Sequence, residues 1–161
     1  MNVTVRVGLL IGALCALWTF VMGFTGWYKD PVLLNAFWVV VPIHIGLLIW
    51  GLRQTAARNT YFRQVGTGTL MSVIAGVILF FSSLLFTVVV FPDYFKEIRG
   101  VHEQMLRAAG TPDDQVSAAL KTASESQTPV IQAVSGLVGT VMTGLVASLI
   151  ISVFARAKKP A

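Results

Sequence analysis

The sequence predicts an all-α integral membrane protein with four transmembrane helices and a short amphipathic helical insertion between the third and fourth of them. Three observations indicate this fold class. Hydrophobic residues make up 55% of the 161 residues and charged residues only 12%, about half the usual share in a soluble domain. The apolar residues form long blocks, and the mean hydropathy is +0.76. The charged residues lie almost entirely between these blocks.

Four blocks are long enough to cross a hydrocarbon core of about 30 Å, which takes roughly 20 helical residues. We expect one membrane domain, 1–161, with spans at about 7–27, 33–52, 67–91 and 130–155. Pro92 is expected to stop the third span and Pro129 to open the fourth, where proline costs a helix least. The spans must be helical because every backbone N–H and C=O in lipid needs an internal partner.

The first span is predicted to be retained rather than cleaved as a signal peptide. Its apolar run from Val7 to Trp27 is 21 residues long and ends in the bulky pair Trp27-Tyr28, not in a small-x-small site. It contains the only cysteine, Cys15, so an intramolecular disulfide is impossible. We expect Cys15 to act as a small buried hydrophobe.

Charge in the connecting segments predicts the orientation. The segment between spans two and three holds three arginines and no acid, and the C-terminal tail is also basic, with Arg53, Arg58, Arg63, Arg156, Lys158 and Lys159. The segment from 92 to 128 has four basic and six acidic residues. By the positive-inside bias, both termini are expected in the cytoplasm, and the segment 92–128 outside an inner (cytoplasmic) membrane.

The segment 92–128 is expected to form two short helices. The first is amphipathic, with apolar residues at helical spacing, namely Tyr94, Phe95, Ile98, Val101, Met105 and Leu106. Gly110 is its expected stop. Thr111 and Pro112 predict the start of a second helix, which would turn Val116, Ala119 and Leu120 inward. Residues 122–128 are expected to form a hinge. These helices form either a lid that lies on the bundle or at the lipid interface, or a docking surface for another subunit or an extracytoplasmic ligand.

Small residues at four-residue spacing indicate close helix packing in lipid. The predicted packing residues lie in the first span (Gly8, Gly12, Ala16) and the fourth (Gly136, Gly139, Thr140, Gly144, Ser148). We expect these two spans to pack on each other. A homo-oligomer or a membrane-protein partner are the alternatives.

His44 is the one ionisable side chain expected deep in a span, two residues after Pro42, whose missing N–H would free a carbonyl one turn earlier. It is a weak candidate for binding a cofactor or other small molecule, or for relaying a proton. The plainer alternative is a neutral imidazole hydrogen-bonded to a hydroxyl of span three, the candidates being Ser72, Ser82, Ser83 and Thr87.

Several function classes are disfavoured by the sequence. The net charge of +5 comes from residues flanking apolar blocks, so no nucleic-acid partner is expected. No metal site is expected, since Cys15, His44 and His102 have no recognisable ligand spacing, and no cofactor is predicted. No span carries an acid, which disfavours an ion-coupled transporter. Motifs of hydrolases, metalloproteases and nucleotide-binding enzymes are missing, so no catalytic residue is expected.

The chain resembles the DUF4199 family of small bacterial membrane proteins. The resemblance lies in the glycine-spaced opening Gly8–Gly12, in the second span VVVPIHIGLLIWGLR, in FPDYF before the long polar segment, and in the closing stretch from Thr128. It extends over nearly the whole chain. It implies a four-helix bacterial inner-membrane protein and brings no activity or site residue with it.

The sequence therefore predicts a non-enzymatic inner-membrane protein, acting as an accessory or scaffolding component of a membrane assembly among membrane lipids. The alternative is a small-molecule or lipid-binding, transport-related membrane protein that uses His44.

Overall fold

The computed structural model describes residues 2–155, and every regular element in that range is helical. The α-helices are α1 (Val3–Thr25), α2 (Val40–Thr55), α3 (Tyr61–Leu84), α4 (Tyr94–Ala108), α5 (Asp113–Ser126) and α6 (Pro129–Phe154). A 3-10 stretch, Leu33–Val39, leads into α2, and a π-helical stretch, Leu85–Val90, extends α3. Short 3-10 turns occur at Trp27–Lys29 and Ala56–Arg58.

Four helical segments are long and apolar enough to cross a membrane, which confirms the predicted all-helical class with four such helices. They are Val3–Thr25, Leu33–Arg58, Tyr61–Val90 and Pro129–Phe154. The third begins at Tyr61 rather than 67, and it includes the polar Gln64, which is fully buried and donates a hydrogen bond to the Leu52 carbonyl oxygen of α2. The basic tail residues Arg156, Lys158 and Lys159 lie outside the described residues.

Most helix ends follow the sequence signals. Gly26 and Gly110, with φ of 72° and 74°, end α1 and α4 in the left-handed region that glycine adopts without strain. The Thr128 hydroxyl accepts the Ile131 N–H at 3.3 Å, and Pro129 opens α6. The predicted hinge at 122–128 was wrong, because α5 continues to Ser126 and leaves two linking residues.

Helix α3 is the centre of the bundle. Both α1 and α6 make their extensive contacts with α3. The prediction that the first and fourth spans pack mainly on each other was therefore wrong. The two small-residue stripes each approach α3, on different faces of that helix.

The α1–α3 contact depends on the glycines of α1. A Cβ added at Gly8 would lie 2.7 Å from the Met71 carbonyl oxygen, and one at Gly12 would lie 3.2 Å from the Ala75 Cα. The backbones of α1 and α3 are thus closer together than a residue larger than glycine would allow at positions 8 and 12. Dispersion contacts between closely apposed helices drive association in lipid, where the hydrophobic effect does not.

The α3–α6 contact is an interlock of small residues in antiparallel order. Added Cβ atoms at Gly68 and Gly144 would collide with the side chains of Ser148 and Ser72 respectively. Further along, a Cβ at Gly76 would lie 3.3 Å from the carbonyl oxygen of Leu137. Each serine therefore fills the space left by a glycine on the facing helix.

The apolar core lies toward the end of the bundle that contains the N-terminus, here called the N-terminal end. Its fully buried members come from three helices and include Val7, Ile11, Leu48, Leu52, Met71 and Ala75. At the opposite end, here called the α4 end, the helices are joined by the 3-10 turn Trp27–Lys29 and by the α4–α5 segment. Packing is therefore densest in one half of the bundle.

Helix α4 buries one face. Phe95, Ile98 and Val101 are buried, whereas Met105 of the expected apolar face is 42% exposed. In α5, Val116 is buried as predicted. Ala119 is exposed, so the prediction that Ala119 turns inward was wrong. The α5 helix thus contacts its surroundings through a narrower face than its sequence suggested.

Helix α4 is attached to the 3-10 turn at Trp27–Lys29 by three polar groups. The buried Tyr28 hydroxyl donates a hydrogen bond to Glu97, and Lys29 Nζ lies 2.7 Å from Glu97 Oε1. Burial, and then the bond to Glu97, raise the pKa of Tyr28 from 10.0 to about 12. The hydrogen bonds from Lys29 and Tyr28 lower the pKa of Glu97. The attachment is therefore strongest between the two titrations: it weakens as pH rises from 10.0 through about 12, and as pH falls through the lowered pKa of Glu97.

The close α1–α3 contact predicts a specific sensitivity at Gly8. Gly8→Ala is expected to lower the free energy of unfolding by about 1–3 kcal/mol, because the new methyl group overlaps the α3 backbone. Gly46→Ala is the matched control, since its Cβ meets nothing within 4 Å. Reversible unfolding in mild detergent measures both. Equal stability of the two variants would show that α1 and α3 are not this close.

The attachment of α4 predicts a second effect. Glu97→Ala should speed backbone hydrogen exchange across residues 94–101 by roughly two- to tenfold, because α4 loses both polar contacts with the 3-10 turn. Glu103→Ala is the control, since within the described range, 2–155, Glu103 pairs only with the exposed Arg107. Exchange that rises equally in both variants, or in neither, contradicts this role of Glu97.

Candidate functional site

A cavity of about 390 Å³ lies between the four long helical segments, toward the α4 end of the bundle. It begins where the core packing stops. Its walls come from α1 (Cys15, Ala16, Thr19, Phe20), the second segment (Phe37, Trp38, Val40, Val41, His44), α3 (Leu79, Ser82, Ser83) and α6 (Gln132, Ser135, Gly136, Gly139, Thr140, Thr143). All four long segments therefore contribute to one site.

The cavity walls are apolar with scattered hydroxyl groups. Phe20, Phe37, Trp38 and Leu79 supply large apolar surfaces, and six serine and threonine side chains add hydroxyls. Its lining includes no Asp, Glu, Lys or Arg. Such walls suit an uncharged molecule that has an apolar body and a few hydrogen-bonding atoms.

The small face of α6 divides between two roles. Gly144 and Ser148 touch α3, as described above, whereas Gly136, Gly139 and Thr140 line the cavity. A Cβ added at Gly136 or Gly139 would meet nothing within 4 Å. On α1, Gly8 and Gly12 contact α3, and Ala16 lies in the cavity wall. The predicted packing residues thus include four that line the cavity.

His44 forms the boundary between the cavity and the packed core. Its ring is buried, and Nε2 lies 2.9 Å from Ser72 Oγ. The structure thus pairs His44 with one of the four hydroxyls expected from the sequence. The Ser72 hydroxyl itself donates to the Gly68 carbonyl oxygen at 3.2 Å. Because a serine hydroxyl has a single proton, this geometry favours the tautomer in which Nε2 carries a hydrogen and donates to Ser72.

This arrangement leaves Nδ1 of His44 as an acceptor without a hydrogen-bond partner among residues 2–155. Gly144 makes room for the pair, because a Cβ there would collide with Ser72 and lie 3.5 Å from His44 Nε2. Pro42 is the third residue of α2, in the first turn, where a missing N–H costs no intrahelical bond.

The 3-10 stretch Leu33–Val39 holds two aromatic walls of the cavity. Trp18 Nε1 donates to the Ala36 carbonyl oxygen at 2.9 Å, and Cys15 Sγ lies 3.7 Å from the Val40 carbonyl oxygen. These bonds join α1 to the stretch from its middle to the start of α2.

Among residues 2–155, no group of three or more His, Cys, Asp or Glu side chains is placed to hold a metal ion.

A second pocket of about 280 Å³ adjoins the cavity and reaches α4. The two share Thr19, Phe37, Trp38 and Gln132 as wall residues, and the second is also lined by His102. Sequence reasoning missed both spaces. The available signal was on α6, where Gly136 and Gly139, with hydroxyl residues beside them, face no small residue on α3.

Four helices that are long and apolar enough to cross a membrane surround one shared cavity. The protein therefore belongs to the class of helical, multi-pass membrane proteins. A sequence model of the family described as "Protein of unknown function (DUF4199)" matches residues 6–157. The chain belongs to this family, as its resemblance indicated. No curated protein and no solved structure matches the chain.

The His44–Ser72 pair yields a prediction. Ser72→Ala should lower the free energy of unfolding by about 1 kcal/mol, because it leaves the buried imidazole N–H unpaired. Ser82→Ala is the control, since Ser82 lines the cavity and makes no hydrogen bond with residues 2–155. Nitrogen-15 NMR of the wild-type imidazole should show the Nε2–H tautomer. An Nδ1–H tautomer, or equal costs for the two variants, would refute the assignment.

Proposed function

We propose that this protein binds a neutral, mostly apolar small molecule inside the membrane, between its four long helices. One observation carries the proposal: a cavity of about 390 Å³ with apolar walls, bounded by the imidazole of His44. Its volume falls within the range of about 300–1,000 Å³ that is typical of small-molecule sites. This was the alternative hypothesis from the sequence, and the geometry favours it.

The walls suggest the chemistry of the molecule. Uncharged surroundings disfavour an ion, which would lose its hydration without a counter-charge. Nδ1 of His44 is an acceptor and therefore suits a hydroxyl or other donor group. An amphiphile with one polar head and a flat or branched apolar body fits these features.

Binding rather than catalysis is supported by the position of Ser72. A serine beside a histidine invites comparison with a nucleophile and its base. Here the Ser72 side chain is 0% exposed, so a substrate has no path to its oxygen. The proposed role is therefore non-enzymatic.

We further propose a bacterial inner membrane as the location, with both termini in the cytoplasm. The support is the charge distribution: Arg53, Arg58 and Arg63 lie together at the N-terminal end without an acid. In this orientation α4 and α5 form an amphipathic insertion on the extracytoplasmic side. The second pocket then connects the ligand site toward that side.

The accessory or scaffolding role expected from the sequence remains a separate prediction. It relied on small-residue faces offered to another protein. Gly136 and Gly139 line the cavity instead, which removes part of that support. A protein partner or a homo-oligomer is an outcome that the next experiment distinguishes.

Gly139→Leu tests the binding proposal. A Cβ at position 139 meets nothing within 4 Å, so the leucine side chain would occupy cavity space, and we expect stability to be retained while the ligand is excluded. Gly46→Leu is the control, because Gly46 is equally open but lies outside the cavity. Native mass spectrometry of protein extracted from its host membrane records the bound molecules. We expect a small-molecule adduct in the wild type and in the control, and at least a tenfold (about 1.4 kcal/mol) loss in Gly139→Leu.

Two results would oppose the proposal. The first is an adduct retained equally by both glycine variants, which would place the molecule elsewhere. The second is a wild-type chain without any small molecule but with a stoichiometric protein partner, which would favour the scaffolding role.

A further inference from the structure

A separate polar pocket of about 400 Å³ lies at the N-terminal end of the bundle. It is formed by the start of α1, the end of α2, the following turn and the start of α3. Its wall residues include Asn2, Thr4, Thr55, Arg58, Asn59 and Arg63. It shares no wall residue with the central cavity.

The two arginines of this pocket lack a counter-charge. Arg58 and Arg63 form no ion pair with any of residues 2–155. The sequence explains why: all seven acidic residues fall in the connection after α1 or between 92 and 128, at the opposite end. No acidic side chain of the protein is therefore placed to neutralise these arginines.

Backbone charge adds to this positive field. The helices α1 and α3 both begin at the pocket, and neither has an acidic residue in its first turn. The N–H groups of a first turn are the positive end of the helix dipole. The contribution from each helix falls off within a turn, and the pocket lies within that distance of both starts.

Thr4 supplies a hydroxyl without a hydrogen-bond partner at the pocket. Thr4 is only 8% exposed and lines the pocket, and its hydroxyl has no hydrogen-bond partner among residues 2–155. A threonine deeper in a helix donates to the carbonyl four residues earlier, and α1 offers no such carbonyl at this position. The hydroxyl proton is therefore available to an acceptor in the pocket.

The pocket wall is rigid before any ligand arrives. Gln64 donates to the Leu52 carbonyl oxygen and accepts hydrogen bonds from Thr55 and Asn59, at 3.0 Å and 2.8 Å. Asn59 also donates to Thr67 at 3.2 Å. This network fixes the turn that carries Arg58 and Arg63 against the start of α3. A preorganised wall lowers the ordering cost of binding.

We propose that this pocket binds the phosphate group of an anionic membrane lipid. Arginine is the side chain best suited to phosphate oxygens, and the Thr4 hydroxyl offers one more hydrogen-bond donor to the tetrahedral phosphate group. The pocket lies at the ends of the membrane-spanning segments, beside Phe62, which is 84% exposed. That is the depth of lipid headgroups, where basic pockets between helices bind anionic lipids. The occupant is therefore a lipid rather than a free phosphate ion.

The test compares Arg58→Gln/Arg63→Gln with Arg53→Gln. Arg53 is exposed at the same end, forms no ion pair with residues 2–155, and does not line the pocket. It therefore controls for general attraction between positive charge and an anionic surface. Phosphatidylglycerol, phosphatidylcholine and inorganic phosphate are titrated into the detergent-purified full chain, and native mass spectrometry measures binding.

We expect phosphatidylglycerol to bind the wild type and Arg53→Gln with similar affinity. The double variant should bind it roughly 10- to 30-fold more weakly, since each arginine at an anionic headgroup contributes about fivefold. Thr4→Val should weaken binding by about threefold while leaving both arginines in place. Thermal unfolding without lipid should be unchanged in the arginine variants, whose side chains are exposed.

Three outcomes would overturn the proposal. Equal weakening by Arg53→Gln would mean that no discrete site exists. Equal affinity for phosphatidylcholine would mean that the anionic phosphate is not recognised. Binding of inorganic phosphate as tight as that of phosphatidylglycerol would assign the pocket to a soluble anion instead.

Discussion

The fold depends on how closely two helices can approach α3. In lipid, apolar side chains gain nothing by leaving one apolar surface for another, so helices associate where their backbones can come into contact. Helix α3 meets this constraint twice. Its residues Gly68, Ser72 and Gly76 interlock with α6, and a different face receives Gly8 and Gly12 of α1. The remaining segments are arranged around this three-helix assembly.

The same constraint explains where the bundle is open. Small residues bring helices together only where the facing surface also allows close approach. Toward the α4 end, Gly136 and Gly139 of α6 find no such surface, so their small side chains leave space instead of contact. His44 and Ser72 lie at the transition. Two polar groups are paired where packing ends, and the His44 side chain also lines the open part.

Elements set by local signals were predictable from the sequence, and choices between partners were not. Hydrophobic blocks, Pro129 and Gly110 gave the number of helices and several of their ends, because those signals act within a few residues. The stripe on α6 showed that something approaches it closely, but not that α3 does. The complementary signal, Gly68, Ser72 and Gly76 at four-residue spacing, was present in the sequence and went unused. The cavity was unpredictable because an empty volume depends on all four segments together.

The uneven packing also determines how the protein responds to compression. A close-packed interior has little volume to give up, whereas any unfilled part of a 390 Å³ cavity is volume lost when the helices separate. Hydrostatic pressure therefore acts strongly on this cavity near α4, whereas the close-packed apolar core between α1, α2 and α3 yields little volume. A molecule that fills the space removes this difference, so occupancy and stiffness of the bundle rise together.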